Sequence, residues 1–204
     1  MGLRQVQKNE LPPFLRLQYQ SMAYRNGTYV AFHAEGKVDP TASDIRYYNL
    51  LKAWKVLDDS KFYFIDSHDK TGAIQDWSKR ATVEDSLKER LRNSRNMVLI
   101  LTASTRKDTD WVPLEISYAI DECEIPIIAA YPGYQYINRP DMLSSVWPKA
   151  LADRVAAQTA HVIHLPFSRE PLHDAIDQFD FQHFPLGGGW GIYSDSAYRS
   201  WGLM

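Results

Sequence analysis

Between residues 28 and 179 the pattern of apolar and polar positions changes period repeatedly, and each change marks an element. Residues 28–34 (Thr-Tyr-Val-Ala-Phe-His-Ala) form a short β-like run. Residues 43–57 then place Ile45, Tyr48 and Leu51, followed by Trp54 and Leu57, at helical spacing. Residues 61–66 read as a second strand ending in Asp66, and the polar stretch 67–81 reads as a long loop. Thr82 and Asp85 have the spacing of a capping box, which predicts a helix from there to about Ser94. The run Met97-Val98-Leu99-Ile100-Leu101 shows no alternation, so it predicts a strand buried on both faces, as in a parallel sheet. After a polar loop over 102–109, Asp110 is placed to cap a helix over 111–123. Residues 125–131 predict a fourth strand, with Pro126 tolerated only at its start. A helix over 148–158, a short fifth strand over 161–165 and a last helix over 169–179 complete the series.

Strands alternating with helices predict an α/β fold: an open, parallel five-stranded sheet with helices on both faces. The expected strand order is 2-1-3-4-5, the flavodoxin-like arrangement, whose ligands bind over the carboxyl ends of strands one and three. His33, Ala34 and Glu35 end strand one, and residues 102–109 follow strand three. The chain divides into an extension over 1–27, a domain over 28–166 and a C-terminal helix and tail over 167–204. The tail run Gly187-Gly188-Gly189-Trp190-Gly191-Ile192-Tyr193 has no strand before it and no helix after it as a phosphate loop requires, so a packing or assembly role is expected.

Composition narrows the classes. The 204 residues carry a net charge of -2, which offers no basic field for nucleic acid. No apolar run approaches the ~20 residues that span a membrane, and the first twenty residues lack the apolar core of a signal peptide, so a cytoplasmic location is expected. Cys123 is the only cysteine, which excludes an internal disulfide; with no activating base near it in sequence it reads as a passive buried thiol. Asp66, His68 and Asp69 match no established ligand spacing, so no metal is expected there. His161 and His164 lie three apart, cannot share one strand face, and read as structural.

The richest chemistry is Trp111 and Glu115, four residues apart on one helix face just past the end of strand three. Each residue also has a plainer role. A carboxylate in an early helical turn complements the helix dipole. Trp111 suits a core, His33 a structural position, and Arg46 a surface pair with Asp44 or a nearby acid.

The first strand ending in Phe32-His33, the run Asp44-Ile45-Arg46 with Trp54 in the first helix, and Trp111-Val112 followed by Glu115 together resemble the TIR domain superfamily, specifically the TIR-like proteins of the bacterial Thoeris antiphage system. The resemblance covers roughly residues 28–135. It implies cleavage of the N-glycosidic bond of NAD, with release of nicotinamide and formation of an ADP-ribose-derived signal, expected to be cyclic, that activates a separate effector after phage infection. By the same resemblance Glu115 is the catalytic carboxylate, and Phe32, His33 and Trp111 line the pocket. Arg46 and Asp66 join them as substrate-binding candidates. NAD is the substrate, no cofactor or metal is required, the trigger is phage-derived, and the protein is a homo-oligomer whose loop over 67–81 gates the pocket or mediates assembly.

Those residue types suit the chemistry. Departure of nicotinamide leaves an oxocarbenium-like ribose, which a carboxylate stabilises. The leaving group is cationic in NAD, so no strong general acid is needed. Phe32 or Trp111 offers a stacking face, and Arg46 a partner for the pyrophosphate. Two rival classes stay open: a non-catalytic interaction module, and a flavodoxin-like nucleotide-binding or receiver-type regulator. The sequence His33-Ala34-Glu35-Gly36-Lys37 is a poor flavin phosphate loop, and strand three ends in Leu101-Thr102 where a receiver carries Asp.

Overall fold

A computed structural model describes residues 25–33, 44–57, 64–65 and 77–204. Among them the chain runs β1 (Gly27–Ala31), α1 (Ile45–Leu57), β2 (Phe64–Ile65), α2 (Trp77–Arg92), β3 (Ser94–Ile100), α3 (Trp111–Asp121), β4 (Ile127–Tyr131), α4 (Lys149–Ala156), β5 (Val162–Pro166), α5 (Arg169–Gln178), β6 (Gly191–Ile192) and α6 (Asp195–Ser200). The strands form one sheet in the order β2-β1-β3-β4-β5-β6, and every neighbouring pair is parallel. The expected order 2-1-3-4-5 is present, with one strand more than the five predicted. Gly191 and Ile192 pair with Ile163 and His164 and extend the sheet beyond β5. A two-residue strand is too short to show any period, so sequence pattern gave no sign of it.

Side chains alternate across the sheet and build two cores. On one face Tyr29, Ala31, Met97, Leu99, Ile127, Ala129 and Val162 pack against α2, α3 and α4. On the other, Val30, Phe32, Val98, Ile100, Ile128, Ala130 and Ile163 pack against α1 and α5. Burial on both faces explains why β3 and β4 read as unbroken apolar runs. One polar pair inside the sheet ties it to α5: Thr28 Oγ1 donates to Asn96 Oδ1 at 2.7 Å, and Asn96 Nδ2 donates to the carbonyls of Ile176 and Phe179.

Two local expectations are corrected. α2 begins at Trp77, so Thr82 and Asp85 lie inside the helix and do not open it. Residues 77–81 contain no glycine or proline to stop the helix from extending toward its N-terminus. Asp110 occupies the N-cap position of α3, but its side chain makes no capping bond. Its carboxylate turns instead to the guanidinium of Arg80 on α2. Pro113, in the first turn of α3, takes a position whose N–H has no helical acceptor, and the helix continues unbroken through it.

The tail is part of the packed structure. His164, fully buried in β5, has Nε2 3.0 Å from the carbonyl of Gly189 and Nδ1 2.8 Å from the Tyr131 hydroxyl. Trp147 Nε1 donates to that same hydroxyl at 2.7 Å, and the Trp147 ring stacks on His164. The directions are therefore set: Trp147 donates to Tyr131, Tyr131 to His164 Nδ1, and His164 Nε2–H to Gly189. Burial holds the His164 imidazole neutral, with its pKa lowered to about 4. His161, three residues earlier, stacks on Phe184. Cys123 is buried and its thiol is pushed up to about 11, chiefly by desolvation, in line with a passive role.

Candidate functional site

The site grows from one side of β1. Tyr29, in β1, projects toward the face covered by α3, and His33 follows two residues past the end of the strand. Glu115, in the second turn of α3, meets Tyr29 there: the tyrosine hydroxyl donates to Glu115 Oε1 at 2.6 Å. The carboxyl is only 2 % exposed. It is not a solvated surface group answering the helix dipole. Burial raises its pKa to about 8; the Tyr29 bond pulls it down, and the neighbouring Asp108 charge pushes it further up.

Asp108 comes from the loop between β3 and α3. A turn of 3-10 helix at Thr105–Lys107 delivers it. Its Oδ2 lies 2.7 Å from His33 Nδ1, and its Oδ1 accepts from the backbone N–H of Asp110 at 2.8 Å. The loop is itself pinned from across the sheet. Asp44, just ahead of α1, is buried, and its Oδ2 accepts from the hydroxyls of Thr102, Ser104 and Thr105 at 2.7, 3.0 and 3.2 Å. Thr105 Oγ1 in turn accepts from the backbone N–H of Thr102. Three hydroxyls converging on one carboxylate fix the loop at the switch point between β1 and β3, where open α/β sheets bind their ligands.

The structure brings together His33 and Glu115, through Asp108 and Tyr29, with Trp111 one turn earlier on the same helix. Trp111 is half-buried against the α3-side core, and the Arg80 guanidinium lies 5.0 Å from its ring centre. Phe32 is placed elsewhere: it projects to the opposite face and stacks on Tyr48 of α1 at 5.0 Å, inside the second core. Arg46 also lies on the α1 side, exposed, with its guanidinium over the Tyr47 ring and Nη2 donating to the Tyr47 hydroxyl at 2.8 Å. It does not form the anticipated pair with Asp44, whose carboxylate is taken by the loop hydroxyls. Asp66 lies outside the described residues. Sequence reasoning missed Tyr29 and Asp108. Tyr29 carried a signal, a hydroxyl in an apolar strand at the i, i+4 partner position of His33; Asp108 carried none beyond membership of a polar loop.

Residues 29–136 match the family of the Thoeris protein ThsB, TIR-like domain. The matched segment runs from Tyr29 of β1 past the end of β4, and holds every residue of the Tyr29–Glu115–Asp108–His33 cluster. The chain belongs to this family. It is a TIR-like protein of the Thoeris antiphage system, with an α/β, flavodoxin-like core. The TIR-like match ends ahead of α4, β5, α5 and the tail, which continue the same sheet and cores. Among the described residues no helix is long and apolar enough to cross a membrane. No group of three or more histidine, cysteine or acidic side chains among them is arranged to hold a metal ion.

Proposed function

We propose that this TIR-like protein cleaves the N-glycosidic bond of NAD and converts the ADP-ribosyl group into a signal nucleotide, expected to be cyclic, for a separate effector. The observation that carries the reading is the Glu115 carboxyl, desolvated and held by the Tyr29 hydroxyl of β1. A buried acid with a pKa near 8 stays protonated while the site is empty, which avoids burying a bare charge. The nicotinamide ring of NAD is cationic. Its arrival favours the ionised form, so the carboxylate is generated beside the ribose that becomes electron-poor as nicotinamide leaves. Trp111 supplies an aromatic surface in the first turn of the same helix. Since Glu115 is closed off from solvent, its cover must shift for substrate to reach it, and self-assembly or a phage-derived trigger would supply that shift.

That same closure favours one other reading, a TIR-like interaction module in which Tyr29 and Glu115 are core polar partners. The two separate in one experiment. Concentrated protein is incubated with NAD, with and without lysate of phage-infected cells, and the products are resolved by mass. Nicotinamide release by the native protein, lost in Glu115→Gln, supports the enzyme, and the second product identifies the signal. Folded native protein that releases none in any condition leaves the interaction module.

A further inference from the structure

Asp108 and His33 are arranged in a way the cleavage step itself does not require. Both carboxylate oxygens of Asp108 are engaged, Oδ1 by the Asp110 N–H and Oδ2 by His33 Nδ1, and the side chain is 8 % exposed. With Asp108 accepting on both oxygens, the hydrogen of its contact with His33 sits on Nδ1. The lone pair of the neutral ring is then on Nε2. That nitrogen has no partner among the described residues, and the His33 side chain, 20 % exposed, reaches the surface at the end of β1. A carboxylate that fixes the tautomer and orientation of an imidazole, and leaves its far nitrogen free, is the arrangement of a general base with its orienting acid. Glu115 is less suited to that task, because one of its oxygens is held by Tyr29 and its charge is already engaged with the ribose.

We propose that His33 is the general base that activates the nucleophile capturing the ribosyl carbon, with Asp108 as its positioning residue. This rests on the glycosidic-cleavage reading above. When the C1′–N bond breaks, its electron pair leaves with the nicotinamide nitrogen, and C1′ is left electron-poor beside Glu115. The attacking group is an O–H, of water or of a ribose hydroxyl within the same molecule. Its oxygen lone pair forms the new bond to C1′, and its proton passes to His33 Nε2. The imidazolium so formed is balanced by the Asp108 carboxylate and returns its proton to solvent after product leaves. Glu115 thus governs bond breaking, and His33 governs which acceptor is deprotonated.

The test is the full chain with NAD, in the presence and absence of azide, an anion that needs no deprotonation. Until an acceptor captures C1′ the broken bond re-forms with the nicotinamide still in the site, so His33→Ala is expected to give free nicotinamide on the order of a hundredfold more slowly than the native protein. Azide should restore the rate and yield an azido-ADP-ribose identified by mass, while scarcely changing native turnover. Asp108→Asn should respond to azide in the same direction. In substrate-free protein, nitrogen-detected NMR of the His33 ring should show the hydrogen on Nδ1. An active native protein whose His33 variant matches it, or whose folded His33 variant azide does not rescue, overturns this inference alone. So does a ring carrying its hydrogen on Nε2, whatever the activity. A native protein that releases no nicotinamide overturns the cleavage reading and this step with it.

Discussion

The Tyr29 hydroxyl and the Glu115 carboxyl, 86 positions apart in the chain, meet at 2.6 Å inside the protein. The bond joins the strand that leads into His33 to the helix that follows the Asp108 loop. It also opposes the desolvation that keeps the carboxyl protonated. Tyr29→Phe removes that opposition. The ionisation of Glu115 should move above its native value of about 8, and nicotinamide release at neutral pH should fall by about tenfold for each unit of the shift. A pH–rate profile of the two proteins checks this; an unmoved profile would show that Glu115 ionisation does not control turnover.

Glu115 also links stability to pH, with a sign opposite to that of most carboxylates. Its folded pKa is about 8 against 4.5 for the free group, so the folded state binds the extra proton between those values. The stability this gives is complete below about pH 4.5 and is lost as pH rises through 8. Glu115→Gln abolishes the dependence. Urea unfolding at pH 5, 7 and 9 should show the native protein losing ground to the variant at each step. The acid-side loss from His164 is common to both proteins and cancels in the difference.

A different pair of elements is tested by Asp44→Ala. Removing the carboxylate leaves the Thr102 and Ser104 hydroxyls without their common acceptor, while Thr105 keeps the Ile100 carbonyl, at a cost on the order of 2 kcal/mol. The loop that presents Asp108 should loosen before the sheet does. Faster hydrogen exchange confined to residues 102–110, with β3 and β4 still protected, is the expected result. Uniform acceleration across the sheet would count against a loop-pinning role.

These contacts show how much of the site is legible in the sequence. Trp111 and Glu115 are legible because a helix places i and i+4 on one face, whatever surrounds it. His33 is legible as the end of a strand at a topological switch point. Phe32, its neighbour, packs on Tyr48 in the α1-side core, a placement that sequence pattern alone does not give. Asp108 is illegible: a loop has no period, and which side chain it turns inward depends on the three hydroxyls that Asp44 gathers. The parallel sheet of the first five strands follows from the alternation of patterns, and their order is that of the flavodoxin-like arrangement, whereas β6 does not follow, since two residues leave no pattern.

The tail is joined to the sheet at a position that admits only glycine. A Cβ on Gly191 would lie 2.6 Å from the Val162 carbonyl and 2.8 Å from that of Leu186. Gly191→Ala should therefore unseat β6. Limited proteolysis should cut between residues 186 and 204 in the variant under conditions that leave the native chain whole. Equal resistance would mean the backbone can shift to accept the methyl group.

The hydrogen-bond relay through His164 bears on where the chain could be divided. A polypeptide ended after Pro166, at the close of the last strand predicted from sequence, would keep Trp147, Tyr131 and His164 but strip the imidazole Nε2–H of its Gly189 acceptor. It would also bare the outer edge of β5 at Ile163 and His164, where β6 pairs in the intact protein. An apolar strand with unpaired backbone groups recruits other strands, so such a fragment should aggregate. Residues 167–204 thus act as a built-in edge guard, and trimming them in search of a minimal domain would remove the element that keeps the sheet to itself.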